Sequence, residues 1–326
     1  MVLRAIIAGC GGYLPATRLS NDELAALKGL DTSDAWIRER TGIGFRHIAA
    51  PGETASDMGA AAARQALERA GVEASEVDAI LVATSTPDSA FPATAARIQA
   101  KLGVTKGFAF DLAAACTGFI YAVGVADALI RTGQARCVLV IGTEVYSRIV
   151  DWTDRGTCVL FGDGAGAMVL RVGEGEGTTA DRGVLSCHMH SDGRLADILH
   201  IEGGAGSTGG AGLLRMAGKE VFRHAVTKLA AVVDEALTAN GLSHEDVRWL
   251  VPHQANRRII DAMGKKLHLP PERVVVTVER HANTSAASVP LALAEACGDG
   301  RIVAGDLVVM EAIGGGLTWG AALARF

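Results

Sequence analysis

The alternation of apolar and polar positions along this chain separates helical segments from buried strands. Residues 54–70 carry apolar side chains at helical spacing and are followed by a glycine, and residues 219–240 do the same. Each predicted helix is followed by a short apolar run typical of a buried strand, at 77–83 and at 247–251. Helices that alternate with buried strands predict an α/β fold in which helices cover parallel-rich sheets.

The same pattern occurs twice, which indicates an internal duplication. Three landmarks recur at one constant offset along the chain: Gly71 and Gly241, the strands that begin at Val77 and Val247, and the apolar runs 137–140 and 307–310. The first strand best matches residues 183–186, which do not lie at this offset. We therefore expect extra residues between the strand and the helix, in the glycine-rich stretch 203–212. We therefore predict two similar halves, 1–172 and 173–326, related by a pseudo-twofold axis.

Cys116 lies between a predicted strand, 107–111, and a predicted helix that runs from Phe119 to Arg131. The free N–H groups at the start of a helix carry partial positive charge, which favours a thiolate over a thiol. Cys116 is therefore a candidate nucleophile. The alternative is that it is a small core residue.

The duplication suggests partners for this cysteine. Position 116 corresponds to Ala286, so a second strand-to-helix turn is expected there, with Asn283 just ahead of the helix. His253 follows the strand 247–251, at a sheet edge where active-site residues of α/β proteins are common. Taken singly, His253 could be a structural histidine and Asn283 a helix N-cap. A pseudo-twofold arrangement would bring all three together.

Composition and charge exclude several classes of function. The net charge of −5 leaves no overall basic surface for nucleic acid, and no apolar run is long enough to span a membrane. The six cysteines form no CxxC pair, which indicates free thiols in a reducing compartment, and we expect a cytoplasmic protein without a metal site.

A different class, a nicotinamide-dependent oxidoreductase, would use the glycines at Gly9 and Gly11. The first strand is expected to end in a turn at 11–12, but Leu14 stands where a dinucleotide-binding turn needs its third glycine. A second glycine-rich segment, 162–166, predicts a tight turn between strands at 158–161 and 167–170.

Seven segments resemble the β-ketoacyl-acyl carrier protein synthase III family of the thiolase superfamily. They are 114–119 (AACTGF), 252–256 (PHQAN), 281–288 (HANTSAAS), 31–37 (DTSDAWI), 40–43 (RTGI), 154–157 (DRGT) and 314–320 (GGGLTWG). The resemblance runs nearly end to end and implies a thiolase-like α-β-α-β-α fold. A set of cysteine, histidine and asparagine distinguishes this branch from thiolases and from elongating condensing enzymes.

The resemblance implies a ping-pong condensation without a cofactor. Cys116 would take a short acyl group, expected to be acetyl, from coenzyme A, with the Cys116 and Gly315 amides as an oxyanion hole. His253 and Asn283 would donate hydrogen bonds to the thioester oxygen of malonyl-acyl carrier protein as carbon dioxide leaves. The product would initiate fatty acid synthesis. A related acyltransferase, or a condensing enzyme of a polyketide or quinolone pathway, is the alternative within this fold.

The resemblance also implies binding residues. Those for acyl-CoA are Thr32, Trp36, Arg40, Phe91, Arg155, Gly218, Phe222 and Asn256, with Phe91 reaching in from the partner of a homodimer. Basic residues that would dock an acidic carrier protein are Lys219, Arg257, Arg258 and Lys265, although solvated helix faces show the same pattern. The chain departs from the family pattern at Ala282, where a glycine is common, at Lys219 and in the segment 174–214.

Overall fold

The computed structural model describes all residues from 1 to 326. Its strands are β1 Val2–Tyr13, β2 Thr17–Ser20, β3 Phe45–Ile48, β4 Ala79–Ala83, β5 Phe108–Leu112, β6 Cys137–Val145, β7 Asp163–Gly175, β8 Gly183–Ser191, β9 Leu199–Gly204, β10 Gly210–Met216, β11 Trp249–Pro252, β12 Leu307–Gly314 and β13 Thr318–Arg325. Its α-helices are α1 Asn21–Lys28, α2 Asp34–Thr41, α3 Ala55–Ala70, α4 Thr94–Leu102, α5 Gly118–Arg131, α6 Arg155–Cys158, α7 Gly218–Ala239, α8 Arg257–Lys266, α9 Val278–His281 and α10 Ser288–Gly298.

Two mixed sheets with the same strand order confirm the predicted duplication. One sheet has the order β1-β7-β6-β4-β5 and the other the order β8-β13-β12-β11. In each sheet the neighbouring pair β4–β6 or β11–β12 is parallel, and the next strand, β7 or β13, pairs antiparallel on both of its sides. A single parallel bridge between Leu250 and Val274 takes the place that β5 has in the first sheet.

The helices form three layers around these two sheets. Helices α5 and α10 lie between the sheets, where Phe119, Val123 and Val289 belong to a core cluster with residues from both. Helices α3 and α4 cover the outer face of the first sheet, and α7 and α8 cover that of the second. This is the predicted α-β-α-β-α architecture. None of the helices combines the length and apolar character required to cross a membrane.

The expectation of extra residues at 203–212 is wrong. The longer connection between the first strand and the outer helix lies in the first half, at 14–54, whereas its counterpart in the second half is only 192–217. The first connection holds β2, α1, α2 and β3, and the second holds the β9–β10 hairpin.

Two predicted glycine turns are also wrong. Strand β1 continues through Gly11 to Tyr13 and stays paired with β7. A Cβ on Gly11 would lie 2.3 Å from the carbonyl oxygen of Ala62, so this glycine lets α3 pack directly on the strand. Likewise Cys158 ends helix α6, and the glycines from Asp163 onward lie within β7 rather than in a turn. Because the glycines of β1 serve helix–sheet packing, they form no dinucleotide-binding loop.

Candidate active site

A cavity of about 890 Å³ brings together the three residues singled out in the sequence. Cys116, His253 and Asn283 all line it, together with Gly315 and Gly316. The three side chains come from different places along the chain: Cys116 follows β5, His253 follows β11, and Asn283 precedes α10. More than half of the lining residues, 17 of 30, are hydrophobic, so the polar groups face a largely apolar space.

Cys116 occupies a 3₁₀ turn, Ala115–Thr117, that leads directly into α5. Burial raises the pKa of its thiol to about 12, and the nearby Ser285 hydroxyl offsets this only in part. The expected lowering of the pKa is therefore wrong, because the loss of hydration on burial is the dominant effect. Cys116 is held as a neutral thiol, so its proton must leave as it reacts.

The end of β12 packs against the backbone of Cys116. A Cβ on Gly314 would lie 2.6 Å from the Cys116 amide nitrogen, so only glycine allows this approach. The Thr318 hydroxyl donates to the carbonyl of Ala114 at 3.0 Å, and the Thr117 hydroxyl donates to the carbonyl of Thr318 at 2.9 Å. These bonds fix the glycine segment beside the thiol.

His253 is held on two sides. Its backbone N–H donates to the carbonyl of Glu311 at 2.8 Å, which continues the β11–β12 pairing by one residue. Its Nδ1 lies 2.6 Å from Oγ of Ser288, the first residue of α10. Burial lowers the pKa of the imidazole to about 3, so the ring is neutral near pH 7.

Asn283 is fixed by its own backbone. Its N–H donates to the carbonyl of Leu160 at 2.9 Å, and its carbonyl accepts from the N–H of Gly162 at 3.1 Å. The side-chain Oδ1 accepts from the N–H of Ser285 at 2.9 Å, which leaves the amide nitrogen as the group free to donate. The preceding residue, Ala282, has φ of 60°, a conformation that favours glycine, so the departure at this position places alanine in a strained backbone.

The cavity mouth carries aromatic and basic side chains. The guanidinium carbons of Arg40 and Arg155 lie 4.4 and 4.7 Å from the centre of the Trp36 ring. Of the predicted acyl-CoA and docking residues, the structure places Trp36, Arg40, Lys219, Gly218, Phe222, Asn256 and Arg258 in the cavity lining. It places Thr32, Phe91, Arg155, Arg257 and Lys265 outside that lining.

Several lining residues were not identified from the sequence. The β9–β10 hairpin contributes Leu199, His200 and Leu214 to the wall, although its composition had suggested only a glycine-rich loop. Tyr146 and Phe161 stack with their ring centres 4.9 Å apart and close the wall near the thiol. The residues around them in the sequence are apolar, as at the end of any buried strand. The sequence therefore did not distinguish these two cavity residues from ordinary core residues.

Comparison with known proteins places these observations in a family. The model of the 3-oxoacyl-[acyl-carrier-protein] synthase III family matches residues 110–193, and that of its C-terminal part matches residues 237–326. The β-ketoacyl-[acyl-carrier-protein] synthase III of Acidiphilium cryptum is 67% identical over 323 residues, covering 99% of both chains. That of Rhodospirillum centenum is 62% identical over 326 residues, covering 100% of both.

A solved structure agrees with this result. The crystal structure of 3-oxoacyl-[acyl-carrier-protein] synthase III from Aquifex aeolicus superposes with a TM-score of 0.92 at 46% identity, covering 99% of this chain and 100% of that one. Sequence and fold therefore agree along the whole length, and the resemblance carried by the seven segments is confirmed. The chain belongs to the β-ketoacyl-[acyl-carrier-protein] synthase III family.

Proposed function

We propose that the protein condenses a short acyl-CoA, acetyl-CoA first of all, with malonyl-acyl carrier protein. The products would be a 3-ketoacyl-acyl carrier protein, carbon dioxide and free coenzyme A, and the reaction would start fatty acid synthesis. The observation that carries this proposal is the meeting of a thiol, a neutral imidazole and a carboxamide in one largely apolar cavity. Family membership supports the same reaction.

In the first half-reaction the Cys116 sulfur attacks the thioester carbonyl of acyl-CoA. The new C–S bond to the enzyme forms, the bond to coenzyme A breaks, and the thiol proton leaves with the departing thiolate. Backbone N–H groups of Cys116 and Gly315 would stabilise the tetrahedral oxyanion, since the glycine segment lies against the Cys116 amide. The largely apolar lining would disfavour the entry of water that could hydrolyse the acyl-enzyme.

In the second half-reaction the malonyl thioester loses carbon dioxide and leaves an enolate. His253 and Asn283 would donate hydrogen bonds to the enolate oxygen, because each has its acceptor atom engaged elsewhere. The carbanion then attacks the acyl group on Cys116, and the new carbon–carbon bond forms as the sulfur leaves. These steps use side chains and backbone amides alone, so we propose that no cofactor takes part.

Substrate binding would use the mouth of the cavity. Trp36, flanked by Arg40 and Arg155, offers an aromatic face and positive charge to the nucleotide of coenzyme A. Gly218, Phe222 and Asn256, with Thr32 just ahead of the Trp36 helix, would border the pantetheine path. Lys219 and Arg258 line the same mouth, and Arg257 and Lys265 lie on α8 beside it, so an acidic carrier protein would dock there.

We also propose a homodimer in the cytoplasm. Phe91 is 85% exposed, and the neighbouring strand β5 lies at the edge of its sheet with Phe108 also exposed. A second copy packed along this edge would cover both rings, and its Phe91 would close the acyl end of the cavity.

All six cysteines are free, which fits a reducing compartment. The halves 1–172 and 173–326, each holding one of the two large sheets in nearly its entirety, are proposed as its two domains.

Intact-protein mass spectrometry after exposure to acyl-CoAs of graded length tests this function. Acetyl-CoA is expected to add one acetyl group to the wild-type protein and to Cys158→Ser, a matched control at another buried thiol. Cys116→Ser is expected to gain none. Acylation at another cysteine, or the absence of a condensation product when malonyl-acyl carrier protein follows, would contradict the proposal. Product formation from malonyl-CoA but not from malonyl-acyl carrier protein would favour the secondary-metabolite alternative.

A further inference from the structure

Ser288 contacts His253 on the side of the imidazole ring that faces away from the cavity. It is the first residue of α10 and is 1% exposed. Its Oγ lies 2.6 Å from Nδ1 of His253 and accepts a hydrogen bond from the backbone N–H of Gln254 at 3.3 Å. The Ser288 hydroxyl makes no other hydrogen bond in the structure.

Counting protons on these groups favours one direction for the hydrogen bond, because the opposite direction would leave the buried serine proton without an acceptor. A serine hydroxyl has one proton and accepts through its lone pairs, and here it already accepts from Gln254. Nδ1 of His253 is the one acceptor available for the serine proton. A neutral imidazole that accepts at Nδ1 carries its proton on Nε2, and His253 is neutral because it is buried. Since Ser288 occupies Nδ1, Nε2 is the nitrogen left to face the cavity.

Gln254 keeps this arrangement rigid. Its Nε2 donates to the carbonyls of Pro252 and Val275 at 2.8 and 3.1 Å. Its Oε1 accepts from the N–H groups of Thr277 and Val278 at 2.8 and 3.0 Å. With every hydrogen-bonding atom of its side chain engaged, this residue fixes the backbone that presents both His253 and the N–H held by Ser288.

The duplication shows that this pair is a specialisation of one half. At the offset that takes Gly71 to Gly241, Ser288 corresponds to Gly118 and His253 to Ala83. The first-half pair also touches, because a Cβ on Gly118 would lie 2.9 Å from the Cβ of Ala83. The fold thus brings these two positions together in both halves, and only the second half has a hydroxyl and an imidazole there.

We propose that Ser288 is a positioning residue that holds His253 in the Nε2–H tautomer, so that a donor faces the thioester oxygen. The proposal rests on the donor role of His253 in the proposed function. Without the serine proton at Nδ1, the ring can carry its own proton there and turn a lone pair toward the enolate. That lone pair would repel the negative charge that the site has to stabilise.

Comparison of Ser288→Ala with Ser288→Thr and Ser243→Ala tests the role of the hydroxyl. Ser243→Ala removes an exposed hydroxyl that bonds to Asp246 and not to His253, and serves as the control. In Ser288→Ala, acylation of Cys116 is expected to proceed normally, while kcat for condensation falls on the order of tenfold to a hundredfold, as for other histidine-orienting partners. KM for the malonyl substrate should change little. Ser288→Thr, which keeps the hydroxyl, should recover most of the rate.

Nitrogen-15 NMR of the histidine-labelled protein reads the tautomer without measuring activity. The His253 signal, assigned by its loss in His253→Ala, is expected to show Nε2–H in the wild-type protein and a mixture in Ser288→Ala. An Nδ1–H signal in the wild-type protein, or an unchanged tautomer and condensation rate in Ser288→Ala, would overturn the proposal. Normal condensation by His253→Ala would instead refute the proposed function, and the NMR result would still decide what Ser288 does. If Ser288→Ala does not fold, the wild-type tautomer decides.

Discussion

Replacing Glu311 with glutamine is expected to change how the stability of the protein depends on pH. Glu311 lies in β12 between Pro252 of β11 and Ala321 of β13. Its side chain is fully buried, and neither carboxylate oxygen has a hydrogen-bond partner. Burial raises the pKa of this carboxyl from 4.5 to about 8, because a charged carboxylate there would lose its hydration without compensation.

The raised pKa determines the sign of the effect. Well below pH 4.5 the carboxyl is protonated in both the folded and the unfolded chain. The free energy of unfolding is then not reduced by ionisation of this group. As the pH rises toward 8, the unfolded chain releases the proton while the folded protein retains it, so stability falls. A shift from 4.5 to about 8 corresponds to about 5 kcal/mol in all, of which roughly 4 kcal/mol is lost between about pH 5 and about pH 9. For a chain of 326 residues this is about 6 °C in Tm.

Thermal unfolding of both proteins across this pH range measures the difference. Glu311→Gln removes the ionisable group, so the Tm of the variant minus that of the wild type should rise by about 6 °C from acid to alkaline pH. Glu144, whose pKa burial raises to about 7, titrates in both proteins and cancels in the difference. The buried glutamine amide adds a cost that does not depend on pH. A difference that stays flat from about pH 5 to about pH 9 would show that Glu311 ionises as it does in water, and would refute the reasoning.

Three further predictions concern the chemistry of the cavity. Asn283→Ala should still accept an acetyl group on Cys116 but condense on the order of a hundredfold more slowly, and an unchanged rate in a coupled condensation assay would exclude the donor role. Because burial lowers the pKa of His253 to about 3, kcat for condensation should show no inflection from this residue near the ordinary value of 6.5; a nitrogen-15 signal of His253 that titrates near pH 6.5 would contradict this. Trp36→Ala should raise KM for acyl-CoA by roughly tenfold with little change in kcat, since the residue touches only the nucleotide in the proposed complex, and steady-state kinetics with saturating malonyl substrate measures this.

The fold could be predicted from the sequence where the apolar periodicity repeats. The offset that relates Gly71 to Gly241 also relates β6 to β12, and both pairs occupy equivalent places in the structure. The connections could not be predicted, because their lengths differ between the halves and carry no shared pattern. The glycines of β1 were misinterpreted for a physical reason: a glycine that admits a neighbouring helix and a glycine that makes a turn look alike in a sequence.

Within the site, the structure differs from the sequence-based prediction mainly in the pKa of Cys116. A cysteine before a helix indicated a nucleophile, but the pKa of Cys116 depends on how much water the folded chain removes, which local sequence does not contain. The contact between Ser288 and His253 joins residues 35 positions apart and became visible only with the distances. The departure of segment 174–214 from the family pattern drew attention to the loops near the pocket, but it did not identify the residues of the β9–β10 hairpin that line the cavity.

The duplication explains why the cavity lies where it does. Ala115 and Ser285 are equivalent at the same offset, and both have left-handed backbone, with φ of 44° and 50°. Each starts a 3₁₀ turn that leads into a central helix, so the fold contains the same strained turn twice. In the first half this turn carries Cys116, and in the second half its Ser285 N–H fixes the carboxamide of Asn283. The turn of the first half thus presents the Cys116 thiol, and the turn of the second half supports the Asn283 carboxamide. Because both turns pack between the two sheets, the two groups meet in one cavity.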